Sequence, residues 1–136
     1  RRSAPGVDSG RLAMLLAVLE RRAGVNLAQH EVFASVVGGV KLSEPGADLG
    51  LCLALVSAVT NQPLAENLVA CGEVGLAGEL RQASNTARRL GEAARLGFTR
   101  AIIPASSAKD IKISGIKLEP AETVAQALAL AGLSVK

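Results

Sequence analysis

Residues 47–60 read A-D-L-G-L-C-L-A-L-V-S-A-V-T, and no other stretch restricts the fold as strongly. The segment has helical length but is apolar nearly all round. A helix without a polar face must be enclosed by other elements, so this one is expected at the centre of the domain. The turn Ser43-Glu44-Pro45-Gly46 launches it, since proline cannot continue a preceding helix but suits the first turn of a new one.

The remaining pattern supplies the enclosing elements. Residues 9–23 carry Leu12, Leu15, Leu16, Val18 and Leu19 at helical spacing, with Asp8 or Ser9 as a cap and Gly24 as a stop. Residues 30–40, rich in valine and containing Phe33, predict a strand with Lys41 at its end. A buried strand is expected at 67–71 and a glycine-spaced hairpin at 72–80, followed by a helix capped by Ser84 or Asn85 that runs through Leu96 and stops at Gly97. A strand at 100–103 closed by Pro104, a short strand near 111–118 and a helix over about 121–131 complete the order. Helices interleaved with strands predict an α/β fold, a mixed sheet with packed helices. At 136 residues the chain corresponds to one domain, 1–136, large enough to fold around its own core.

Composition removes several function classes. The chain is 49% apolar, yet Phe33 and Phe98 are its only aromatics, so it has no platform on which bases could stack. No apolar run approaches the ~20 residues of a membrane span. The start, Arg1-Arg2-Ser3-Ala4-Pro5-Gly6, has no signal-type apolar core and reads as an internal cut from a longer chain. Cys52 and Cys71 form no C-x-x-C pair and His30 is a lone histidine, which points to buried, reduced cysteines, a cytoplasmic setting and no metal site. There is no P-loop; the G-x-x-G-x-x-G spacing of Gly72, Gly75 and Gly78 is explained by tight turns.

Charge is unevenly distributed. Residues 41–79 set Lys41 against Glu44, Asp48, Glu66, Glu73 and Glu79, a net of −4. Residues 81–100 set Arg81, Arg88, Arg89, Arg95 and Arg100 against Glu92, a net of +4. The basic segment suits phosphate contact, although five arginines at solvated positions are also what a soluble helix often carries.

The runs Gly38-Gly39-Val40-Lys41, Ala47-Asp48-Leu49, Ala54-Leu55-Val56-Ser57-Ala58, Gly72-Glu73-Val74-Gly75-Leu76-Ala77-Gly78-Glu79-Leu80-Arg81 and Glu92-Ala93-Ala94-Arg95-Leu96-Gly97-Phe98 together resemble the C-terminal Lon-protease-like domain of the bacterial RadA (Sms) DNA repair family. The resemblance covers nearly the whole chain, and its G-E-V-G-L-A-G-E-L-R stretch is the most specific part. It implies a Lon protease proteolytic-domain-like fold placed behind a zinc finger and a RecA-type ATPase. Both of those modules, with their ATP, magnesium and zinc, fall outside this sequence.

A Lon-type site needs a serine nucleophile in a G-P-S-A-G turn and a neutral lysine to take its proton. The matching turn here is Glu44-Pro45-Gly46-Ala47-Asp48, which puts Gly46 at the nucleophile position, and the resemblance puts Ala87 at the lysine position. Arg88 and Arg89 cannot replace the lysine because guanidinium stays protonated. A dyad from Ser43 and Lys41, a triad built on His30, and an acid pair from Glu73 and Glu79 are all weaker constellations, the last better suited to pairing with arginine. No catalytic residue is expected in this fragment, although the parent protein is expected to be a DNA-dependent ATPase.

The leading expectation is a non-proteolytic scaffold and DNA-binding domain acting in repair and recombination. The family implies a hexameric ring that contacts single- or double-stranded DNA without sequence preference. The residues expected to contact DNA are Lys41, Arg81, Arg88, Arg89 and Arg95, with Arg88 and Arg95 seven apart on one helix face. The alternative is a pure oligomerisation module in which the acidic middle of one subunit meets the basic helix of the next.

Overall fold

The computed structural model describes residues 2–3, 8–27, 32–33 and 44–135. The chain order is β1 (Arg2–Ser3), α1 (Ser9–Arg22), β2 (Val32–Phe33), a 3-10 turn (Pro45–Ala47) running into α2 (Asp48–Thr60), β3 (Leu68–Ala70), β4 (Glu73–Val74), β5 (Leu80–Arg81), α3 (Thr86–Arg95), β6 (Arg100–Pro104), α4 (Ala105–Ala108), β7 (Lys117–Ala121) and α5 (Val124–Leu130). This is the expected α/β fold with mixed pairing. β1 and β2 are parallel, β4 and β5 form an antiparallel hairpin, and β3-β6-β7 form a parallel sheet in that order.

The central strand shows why the domain has two packed faces. Side chains alternate across a strand. Ile102 therefore joins the core made by α1, α2 and α5, while Ala101 and Ile103 join Leu90 of α3 and Ile116 on the other face. Parallel strands require covered faces, and these helices provide the cover. Pro104 ends β6, where its missing N–H costs least, and the second strand proline, Pro120, lies on edge strand β7.

Helix α1 begins where expected: the Asp8 carboxylate accepts the Arg11 N–H at 2.9 Å, and Gly24 leaves the helix at φ +71. Helix α2 buries Leu49, Cys52, Leu53, Leu55 and Val56 against α1, α5 and β4. Its enclosure is not complete, because Ala54 and Ala58 are exposed. Small side chains make that strip look apolar in the sequence while leaving little surface to bury.

Several boundaries differ from the sequence reading. Helix α3 starts at Thr86, but Asn85 adopts the left-handed conformation at φ 61 and its side chain does not cap the helix. Helix α4 was not expected. The strand expected near 111–118 lies at Lys117–Ala121, because Ile111 and Ile113 pack on the Leu90 cluster from a loop. Strand pairing through Ala121 then delays α5 until Val124, where the Thr123 hydroxyl accepts the Gln126 N–H at 3.1 Å. Of the strand expected at 30–40, Val32–Phe33 is described and pairs with Arg2–Ser3; Lys41, His30 and Ser43 lie outside the described residues.

Two tertiary ties give testable consequences. The hairpin tip docks on the start of α5, where Val124 N–H donates to Gly78 O at 2.8 Å and Leu80 N–H to Glu122 O at 2.9 Å. Gly78 sits at φ +82, and a Cβ there would lie 3.0 Å from the Arg22 Cβ. Gly78→Ala is therefore expected to cost about 1–3 kcal/mol in urea unfolding, from backbone strain plus crowding.

The second tie is Arg100 on β6, whose Nε and Nη2 donate to the Glu119 carboxylate of β7 at 2.7 and 3.0 Å, while Nη2 also reaches Leu130 O at 3.1 Å. The Arg100 hydrogen bonds and charge hold the Glu119 carboxyl below its ordinary range. A lowered folded-state value means the stabilisation is complete above the unfolded carboxylate pKa of about 4.3 and is lost as pH falls through the folded value. The stability difference between the parent chain and Glu119→Gln should therefore be constant near neutrality and shrink below about pH 4. A difference that stayed unchanged into acid would show that the pair contributes nothing through ionisation.

Candidate functional site

The turn carrying Gly46 is fastened from two sides. Gly72 N–H donates to Gly46 O at 3.0 Å, and Leu49 N–H donates to Gly72 O at 3.1 Å, which staples the turn to the start of the hairpin. Behind it, Asp48 is 1% exposed at the N-terminus of α2. Its carboxylate accepts Arg11 Nε at 2.5 Å, Arg11 Nη2 at 2.7 Å and the Val74 N–H at 3.1 Å, and Glu73 lies 3.6 Å from the same guanidinium. Hydrogen bonding to Asp48 raises the Arg11 pKa further. A carboxylate at a helix N-terminus also complements the helix dipole.

In front of Gly46, the position the resemblance assigns to the nucleophile, the space is filled by a cation. A Cβ on Gly46 would lie 2.5 Å from Arg89 Nη1, 3.2 Å from Arg89 Cζ and 3.0 Å from the Ala83 Cβ. Arg89 is held there by an ion pair with Glu44, from the same turn. Ala87, the position the resemblance assigns to the general base, is exposed, and the α3 side chain that reaches Gly46 is Arg89. A permanently charged guanidinium next to a residue with no side chain has neither a nucleophile nor a base. The thiols supply none either: burial pushes Cys52 up to about 12 and also raises Cys71, so both stay protonated near neutrality.

The other expected DNA-contact residues are distributed differently. Arg81 donates to Glu79 at 2.6 and 3.0 Å, and hydrogen bonding from Arg81 lowers the Glu79 carboxyl; Glu79 also accepts the Ala77 N–H inside the hairpin. Arg95 pairs with Glu92 one helical turn away at 2.8 Å. Arg88 is exposed and has no ion pair among the described residues. Lys41 lies outside them. The structure thus places Arg89 against the Gly46 turn, turns Arg88 toward a cleft lined by Ser107 and Asp110, and leaves Arg81 on the hairpin.

Two ion-pair centres escape a reading of the sequence, Arg11 with Asp48 and Arg100 with Glu119. Their partners are 37 and 19 residues apart, and no local spacing marks them. The first of them, with the Arg81 and Arg89 pairs, means that Glu44, Asp48, Glu73 and Glu79 of the acidic segment are faced by arginines of the same chain.

The domain has known counterparts. The family model for the Lon protease (S16) C-terminal proteolytic domain matches residues 25–131, and the chain belongs to that family. Similar full-length proteins include the DNA repair protein RadA of Haemophilus influenzae, 46% identical over 130 residues that cover 96% of this chain and 28% of that protein. RadA of Escherichia coli is 45% identical with the same coverage, and RadA of Mycobacterium tuberculosis is 49% identical over 106 residues, 78% of this chain and 22% of that protein. Within the Lon family the chain is thus a RadA-type C-terminal Lon-like domain, spanning under a third of the length of these curated relatives. Among the described residues no helix is long and apolar enough to cross a membrane.

Proposed function

We propose that this chain is a non-proteolytic scaffold and DNA-contacting domain of a RadA-type protein acting in DNA repair and recombination in the cytoplasm. In this reading six copies form a ring, and ATP hydrolysis, magnesium and zinc belong to modules outside the chain. The observation that carries the reading is the replacement of a nucleophile by a cation, Arg89 over Gly46, next to a second arginine, Arg88, that has no acidic partner among the described residues. Arg89 is balanced by Glu44, so the cation left for phosphate is Arg88 on the same helix. Contacts of this kind are to backbone, not bases, so sequence preference is not expected.

The test is fluorescence anisotropy of labelled single-stranded and duplex DNA at several salt concentrations. Binding should fall steeply with salt, and Lys41→Ala with Arg81→Ala should weaken it. Arg81 and Arg95 already face acids, so Arg88→Ala is expected to have the larger single effect and to reduce the salt slope by about one contact. No binding at low salt would overturn DNA contact and leave the second reading, a pure oligomerisation module. That alternative draws support from Leu76 and Leu96, 75% and 70% exposed, which are large apolar side chains suited to a subunit seam. Leu76→Asp should then break up the assembly in light scattering.

A further inference from the structure

A cleft of about 380 Å³ lies between the start of α3 and the segment that follows β6, and neither the fold nor the Gly46 turn accounts for it. One wall is the first turn of α3. Asn85 leaves that turn without a side-chain cap, so its N–H groups stand open, with the partial positive charge of a helix N-terminus. Arg88, from the same turn, lines the cleft and has no ion-pair partner among the described residues.

The opposite wall supplies an independent observation. Ser107 is 6% exposed, yet its hydroxyl has no hydrogen-bond partner among the described residues. No fully enclosed side-chain oxygen or nitrogen there is left unsatisfied, so the hydroxyl must open to solvent, and the space Ser107 lines is this cleft. Gln82 Nε2 donates to Ser106 O at 2.8 Å and clamps the two walls together.

The converging groups are donors: open helix N–H groups, a guanidinium and a hydroxyl. Asp110 also lines the cleft and limits the negative charge it can accept. We propose that this cleft seats a singly charged phosphate oxyanion, bound by the α3 N–H groups, Arg88 and Ser107. Two sources share that chemistry, the phosphodiester of a nucleic-acid backbone and free phosphate. The first rests on the DNA reading above, whereas the seat itself does not.

The experiment is a titration of the full 136-residue chain followed by amide chemical shifts. Sodium phosphate at mildly acidic pH, dimethyl phosphate as a phosphodiester, and sodium chloride at matched ionic strength are the three probes. Saturable shifts at Ala87, Arg88 and Ser107 with phosphate but not chloride are expected. Arg88→Ala should weaken binding roughly tenfold and Ser107→Ala about threefold, the losses for a charged and a neutral hydrogen bond. Arg21→Ala, an exposed cation on α1, should leave it unchanged.

Shifts that never saturate, that chloride reproduces, or that Arg21→Ala abolishes equally would overturn the seat. Binding of dimethyl phosphate, with the same amides shifting on addition of an oligonucleotide, would identify nucleic-acid backbone as the source. Binding of inorganic phosphate alone would support the seat with free phosphate as its occupant. Loss of DNA binding with retained phosphate shifts would refute the DNA reading and leave the seat standing.

Discussion

Asp48→Ala is expected to lower the stability of the domain by about 3–5 kcal/mol, because it removes a carboxylate that is 1% exposed, leaves the Val74 N–H unpaired and leaves Arg11 only Glu73 at 3.6 Å. A domain of this size has only about 5–15 kcal/mol in total, so the variant should melt at least roughly 10 °C lower. Arg11 is 24% exposed and Asp48 1%, which makes the two partners unequal. Arg11→Ala should cost less, since Asp48 keeps the Val74 N–H and the helix N-terminus while water can replace part of the arginine. The double variant should be less destabilised than the two singles added together, because the pair acts as a unit. Chemical denaturation measures all three. An Asp48→Ala variant within about 1 kcal/mol of the parent would mean that this pair does not hold the Gly46 turn to α1.

The second large effect concerns the space over Gly46. Gly46→Ala places a methyl 2.5 Å from Arg89 Nη1 and 3.0 Å from the Ala83 Cβ, so either the guanidinium leaves Glu44 or the turn moves. The expected cost is about 1–3 kcal/mol, typical of overpacking. In an Arg89→Ala background the closest atoms are gone and the same substitution should cost much less, giving a coupling on the order of 1 kcal/mol. Strict additivity in this cycle would show that Arg89 does not fill the space over Gly46. The same geometry predicts that Gly46→Ser combined with Ala87→Lys shows no peptidase turnover above background. The new lysine would stand at an exposed position while Arg89 still covers the serine. Clear turnover with a peptide substrate would contradict it.

Much of this architecture is legible from residue pattern. The leucines of α1 recur at helical spacing, the glycines at 72, 75 and 78 mark the hairpin, and Ala101, Ile102 and Ile103 form a run apolar enough for a strand buried on both faces. Each of these signals is local, a matter of which face a side chain takes within a few residues. Missed boundaries fall where local pattern and tertiary demand conflict. Ile111 and Ile113 look like strand residues but fill a loop against Leu90, and Ala121 looks helical but completes the ladder opposite Pro104. Asn85 has the chemistry of a cap, but the turn entering α3 rotates it into the left-handed conformation, away from the N–H groups it would serve.

By itself the sequence determined the fold class, the order of the main elements and the Lon-like resemblance, because pattern, motif and residue identity are properties of the linear chain. Only the tertiary structure decided what each charge does. Arg81, Arg88, Arg89 and Arg95 are equivalent as letters, yet three of them face Glu79, Glu44 and Glu92, and Arg88 has no ion-pair partner among the described residues. The physical reason is that an ion pair depends on a separation of a few ångströms through space: backbone conformation sets it for near neighbours such as Arg81 and Glu79, and packing sets it for distant pairs such as Arg89 and Glu44.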